Sequence, residues 1–206
     1  MKGAIIQSQY VSNFLDESIS IIQKIDLTSI EKLASEIKKI KLQNGRIFLC
    51  GSGGGAGHSS HAACDFRKLL KIESYSVTDN VSELTARIND DSWENSYVEY
   101  LKASNFNKND GVFIFSVGGG DKEAKISMQL VSVMDYAKQL NASVMGIAGR
   151  SGGHLKQISQ ACVIIPEIRS STVTAQTEGF QALIWHMLLG HPLLEGETPK
   201  WESVTK

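Results

Sequence analysis

The chain has 206 residues, 42% hydrophobic and 21% charged, which suits one compact domain with a full-sized core. Its 21 Lys and Arg against 22 Asp and Glu leave a formal charge of -1, which excludes a global positive field for nucleic acid or an anionic membrane. The stretch Met1 to Ser8 turns polar before a signal-peptide core forms, and no later apolar run approaches the ~20 residues of a membrane span, so a soluble cytoplasmic protein is expected.

Residues 1–44 read as a helical lead-in. Tyr10, Phe14, Ile21 and Ile22 form one stripe, and Ile30, Leu33, Ala34, Ile37 and Ile40 a second at helical spacing. Thr28 followed by Glu31 offers a capping box for the second helix. Each helix has one surface to bury, against either the main sheet or another subunit.

From residue 45 short apolar runs alternate with longer helical stretches, the pattern of a parallel sheet wrapped by helices. The runs are 47–50, 75–77, 112–115, 144–148 and 162–165, so an α/β fold with a doubly wound five-stranded sheet is expected. Ile126, Leu130, Val133, Met134 and Ala137 mark one amphipathic helix, and Ala182, Trp185, Leu188 and Leu189 define the last. The α/β core spans 45–192 and a tail spans 193–206, together one domain over 1–206. Cys50, Cys64 and Cys162 are widely spaced, form no CxxC pair and read as reduced core residues.

Three glycine clusters each follow an expected strand: Gly51-Ser52-Gly53-Gly54-Gly55, Gly118-Gly119-Gly120 and Gly149-Arg150-Ser151-Gly152-Gly153. At the carboxyl edge of such a sheet, a glycine turn entering a helix exposes backbone amides to an anion. Ser52 and Ser116 add hydroxyls to the first two. A dinucleotide fingerprint, GxGxxA with Asp79 as ribose ligand, is the competing reading. It fits poorly, because the segment after the loop, Gly57-His58-Ser59-Ser60-His61, is polar where the fingerprint helix needs an apolar face. No nucleotide cofactor is expected.

His61 and Asp65, four residues apart, share a helix face and suit either a two-ligand metal clamp or a base beside an orienting group. A surface hydrogen bond is the plainer alternative. Glu178 and His186 lie eight residues apart on the last helix, with His186 in an apolar stretch where it needs a partner. A core histidine bonded to a backbone carbonyl would satisfy that need equally well.

The order of glycine loop, His61, Asp65, the Asn89-Asp90 pair, Ser116, the Gly152-Gly153 turn, Glu178 and His186 resembles the phosphoheptose isomerases of the sugar-isomerase (SIS) family, over nearly the whole chain. The family's first loop reads like GNGGS and leads into HxxxE, matched here by Gly51 to Gly55 and by His61 to Asp65. Its second loop, like STSGNS, is matched by Ser116 to Asp121, and its last helix by Gln176-Thr177-Glu178 ending at His186.

That resemblance implies an SIS-type fold and a ketose–aldose isomerase of phosphorylated sugars, converting sedoheptulose 7-phosphate to a heptose 7-phosphate for surface polysaccharide. It implies Asp65 as base, His186 as acid, and His61, Asp65, Glu178 and His186 as ligands of a divalent metal, zinc in several members. It further implies that Ser52, Gly53, Gly54, Gly55, Asp90, Ser116, Gly118, Gly119, Gly120 and Glu178 contact substrate, and that active sites lie at subunit interfaces of a homotetramer.

Asp at 65, Glu at 178 and glycines in place of loop hydroxyls depart from the family pattern and imply a divergent subgroup. Asp121 would repel phosphate unless it turns away as a helix cap, with Lys122 offsetting it. Glu178 and His186 are about 12 Å apart along a helix, too far for casual convergence on one ligand. An isomerase of another ketose phosphate and a non-catalytic sugar-phosphate sensor are the alternatives.

Overall fold

The computed structural model describes residues 2–204. Strands β1 (Ile47–Gly51), β2 (Ser74–Ser76), β3 (Gly111–Ser116), β4 (Ser143–Ala148) and β5 (Ala161–Ile164) form one parallel sheet in the order β2-β1-β3-β4-β5. β1, β3 and β4 are buried along their whole length, because helices cover both faces. Such strands must be apolar throughout, which is why Phe113-Ile114-Phe115 shows no alternation.

One face is covered by α2 (Leu27–Leu42), α3 (Gly54–Asp65) and α8 (Val173–Leu189), and their buried Leu33, Ile37, Ala62, Ile184 and Trp185 share a core with Leu49 and Phe113. The other face is covered by α5 (Ser96–Ala103), α6 (Met128–Gln139) and α7 (Gly153–Ile158), which pack Tyr97, Leu130, Val133 and Leu155 on Phe48 and Ile114. Each large aliphatic side chain so buried contributes about 1.5–3 kcal/mol. α4 (Val81–Asp91) buries no residue, and α9 (Lys200–Ser203) lies near the end of the described chain. The chain runs from β1 out to β2 and then back to β3 on the other side of β1, so the crevice above the carboxyl ends of β1 and β3 is a topological switch point. The first two glycine loops stand there.

Several expectations need correction. Asp26, not Thr28, caps α2: its side chain accepts the Thr28 amide at 2.9 Å, which starts the helix two residues earlier. Ile126 precedes α6 and is 57% exposed, bridged to Asp121 in a tight antiparallel turn. Cys64 is exposed, whereas Cys50 is buried and burial pushes the half-buried Cys162 thiol up to about 12.

The second stripe of the lead-in is buried as expected, but the first is not. On α1 (Lys2–Lys24) Ile21 is buried while Tyr10 and Ile22 are exposed, with Val11, Leu15 and Ile19. Polar contacts tie α1 to the end of the fold: Arg169 pairs with buried Glu17 at 2.9 Å, and Gln176 donates to the Phe14 carbonyl at 3.0 Å.

Candidate active site

The first glycine loop is braced from behind. Buried Tyr97 donates its hydroxyl to the Gly51 carbonyl at 2.7 Å, and burial raises that phenol well above its ordinary pKa. Gln129 of α6 donates its side-chain amide to Ser52 Oγ. Gly53 enters α3 at φ 55, a conformation that glycine adopts without steric cost. Gly55 closes the turn by donating to the Ser52 carbonyl at 2.9 Å, so its amide is not offered to a ligand.

The second and third clusters are interlocked. Ser116 Oγ accepts the Gly119 amide at 2.9 Å, and Gly119 and Gly120 take φ 79 and 81. The first amides of α7 then turn inward: His154 and Leu155 donate to the carbonyls of Gly120 and Gly119 at 2.9 and 3.0 Å. A Cβ on Gly119 would lie 1.9 Å from the Gly152 carbonyl oxygen. Thus α7 holds the second loop rather than a ligand, which corrects the expectation that all three clusters present amides to an anion.

Asp121 does not serve as a helix cap. Its carboxylate accepts the Glu123 and Ala124 amides, both at 2.9 Å, whereas the N-cap of α6 is Ser127. Lys122 is held by Asp135 at 2.7 Å. Between the loops opens a cavity of about 430 Å³ whose polar lining is Ser52, Ser116, Gly118, Ser127 and Arg150.

Farther along α3, His61 Nε2 stands 3.5 Å from Asp65 Oδ2. His186 of α8 joins them, so that one ligand atom from each of the three lies within 4.8 Å of the others. His186 is exposed rather than in the core, yet its Nδ1 does meet a backbone carbonyl, that of Ala182 at 2.8 Å. An Nδ1–H donated to that carbonyl leaves the Nε2 lone pair free. Two imidazoles and a carboxylate fit a divalent cation of the zinc type.

Glu178 stands apart from this triad. Its carboxylate rests on the first turn of α3, against Gly54, where the helix dipole is positive. His58 lies between the two levels and interacts with Glu178, His61 and His186, while burial lowers its pKa. A polar seam therefore runs along the α3–α8 groove, and the separation of Glu178 from His186 is accounted for. Seven residues of α3 part Gly54 from His61, about 10 Å, and eight residues of α8 part Glu178 from His186, about 12 Å. Each α8 residue meets α3 at its own level and nothing has to converge.

Asp90 lies on the exposed surface of α4, bonded to Asn89 at 2.8 Å, and is not gathered with the loops or the triad. Reading the sequence missed His58, Tyr97, Gln129, Ser127 and Arg150 as site residues. Only His58, three residues before His61 on one helix face, left a local signal.

No protein-family model matches the chain. A phosphoheptose isomerase of Helicobacter pylori is 26% identical over 195 residues, which cover 91% of this chain and 94% of that protein. The chain is similar to phosphoheptose isomerases over nearly its whole length. Two solved phosphoheptose isomerases share its SIS-type fold. The one from Neisseria gonorrhoeae has a TM-score of 0.77 at 21% identity, covering 89% of this chain and 97% of its own. The one from Francisella tularensis has a TM-score of 0.77 at 18% identity, covering 95% and 99%. In this chain the glycine loops, the cavity and the His61, Asp65 and His186 triad all lie on α3, α8 and the carboxyl edge of the sheet.

Proposed function

We propose that the chain is a ketose–aldose isomerase that converts sedoheptulose 7-phosphate to a heptose 7-phosphate, supplying activated heptose for surface polysaccharide. The observation that carries this reading is the seam from the loop cavity to the triad, which offers a phosphate site at one end and proton-transfer groups at the other.

Isomerisation moves a proton between two adjacent carbons and needs an anchor remote from the chemistry, a base, and polarisation of the developing enediolate. Ser52 and Gly53 of the first loop, with Ser116 and Gly118 of the second, hold the phosphate. Gly54, Gly119 and Gly120 shape those loops. Gly55 acts only by closing its turn, and Asp90 reaches a sugar hydroxyl only if another subunit brings one to it.

His61, Asp65 and His186 would hold a divalent metal, zinc by the donor set, which would polarise the two sugar oxygens that exchange a proton. Asp65 is the base and His186 the acid when these side chains are free of metal. Glu178, whose carboxylate rests against the first turn of α3, about 10 Å of helix from His61, contacts the substrate rather than exchanging its proton.

Among the described residues no helix is long and apolar enough to cross a membrane, which agrees with action in the cytoplasm. The exposed apolar face of α1 supports a homo-oligomer, with a tetramer as its form. Ile21, Ile30 and Leu33 of the lead-in share a core with α3 and α8, which supports one SIS domain over 1–206.

The test is NMR of the purified protein with a panel of ketose phosphates in D2O, with and without chelator. Turnover with deuterium incorporation at the exchanging carbon is expected, and loss of it in Asp65→Asn and His186→Ala. Full turnover in both folded variants would remove the assignment. Saturable binding without turnover would instead make the chain a sugar-phosphate sensor.

A further inference from the structure

Arg150 occupies the turn after β4 at φ 50, a left-handed conformation that non-glycine residues seldom take. Its surroundings differ from those of the other arginines. Arg46 pairs with Asp110, Arg87 with Glu83 and Arg169 with Glu17, and Arg67 donates to the Ser74 carbonyl. Arg150 has no ion-pair partner among the described residues, and it is the one charged side chain in the described lining of the 430 Å³ cavity.

That cavity is short of donors for a dianion. Ser116 and Ser52 each already accept a hydrogen bond, from Gly119 and Gln129, and keep a single O–H to give. Glycines fill positions 118 to 120, so only backbone is available there. The first amides of α7 are turned inward to the second loop, and Lys122 is bound to Asp135. A phosphate placed there would be undercompensated without a full positive charge. A guanidinium supplies that charge with a planar fork of N–H donors matched to phosphate oxygens.

We propose that Arg150 is the charged anchor of the substrate phosphate, closing over the anion from the third loop while Ser52, Ser116 and Ser127 surround it. The third glycine cluster thus serves recognition through a side chain rather than through its own amides. This inference rests on the phosphosugar reading above, and its test separates the two.

Arg150→Gln and Arg150→Lys, each checked by circular dichroism, are compared with the unaltered protein supplied with zinc. Arg150→Gln is expected to raise KM for the ketose phosphate about 10- to 100-fold, the value of a lost charge-assisted hydrogen bond, with kcat nearly unchanged. Arg150→Lys should recover part of the loss. Inorganic phosphate, titrated by phosphorus NMR, should weaken by a similar factor. Turnover with unchanged KM and phosphate affinity in Arg150→Gln overturns the anchor and leaves the isomerase standing. Absence of turnover together with Arg150-dependent phosphate binding retires the isomerase and leaves the anchor. An unaltered protein that binds no phosphate overturns the anchor as well.

Discussion

The carboxylate of Glu178 occupies the space that a side chain at position 54 would need: a Cβ built on Gly54 falls 2.5 Å from Glu178 Oε2. The absence of a side chain on α3 is therefore what lets a residue of α8 reach the start of the seam. Gly54→Ala should leave the fold intact, since alanine is the better helix former by about 1 kcal/mol. It should nonetheless displace the carboxylate and reduce turnover about tenfold, or ~1.4 kcal/mol in the barrier. Thermal melts beside rate measurements check this, and a fully active variant would show that Glu178 need not sit there.

Metal affinity should follow the triad and not the seam as a whole. His61→Ala removes one of three ligands whose donor atoms lie within 4.8 Å and should weaken zinc binding severalfold or more. Glu178→Gln, outside that group, should leave affinity nearly unchanged while lowering turnover. Competition with a chromophoric chelator measures the first effect. Equal losses in both variants would mean that Glu178 joins the ligand set.

Tyr97→Phe tests the brace behind the first loop. It leaves the Gly51 carbonyl without the hydroxyl that reaches it at 2.7 Å in a buried setting, which should cost about 1–3 kcal/mol of stability. Urea unfolding reads the stability. A rise in KM without a fall in kcat would locate the damage in phosphate binding.

The second loop carries a pH dependence through Asp135. Burial alone would raise its carboxyl, but hydrogen bonds from Lys122 and His154 outweigh this and hold it below the ordinary carboxylate value. A folded-state pKa below the unfolded one adds stability above the unfolded value, and that stability is lost as pH falls through the folded value. Asp135→Asn should therefore be less stable than the unaltered protein near neutrality, with the gap closing toward acid. Denaturant melts across pH 3 to 7 would show it, and a gap constant with pH would remove the carboxylate from the account.

The sheet was legible because burial on both faces leaves strands with no choice but apolar side chains, as in Phe113-Ile114-Phe115. His61 and Asp65 were legible because one turn of helix fixes their relation locally. The role of Glu178 was not, since it depends on how α8 lies against α3, and a helix read by itself only states that Glu178 and His186 are far apart. Arg150 and Ser127 were illegible for a similar reason: they become neighbours of Ser52 and Ser116 only when the loops after β1, β3 and β4 meet at one edge. The cap of α2 was misplaced because Asp26 performs the same bonding two residues before Thr28.

The matched levels of α3 and α8 act as a measuring rod. In the proposed reaction the loop at the start of α3 would set the phosphate end and His61 and His186 the reacting end, so the helical rise between them would decide how many carbons fit. A carbonyl nearer to or farther from the phosphate would lie off the triad by a fraction of the ~5.4 Å helical turn. Selection by chain length would then come from backbone geometry, and shifting His61 and His186 together by one turn would recalibrate it.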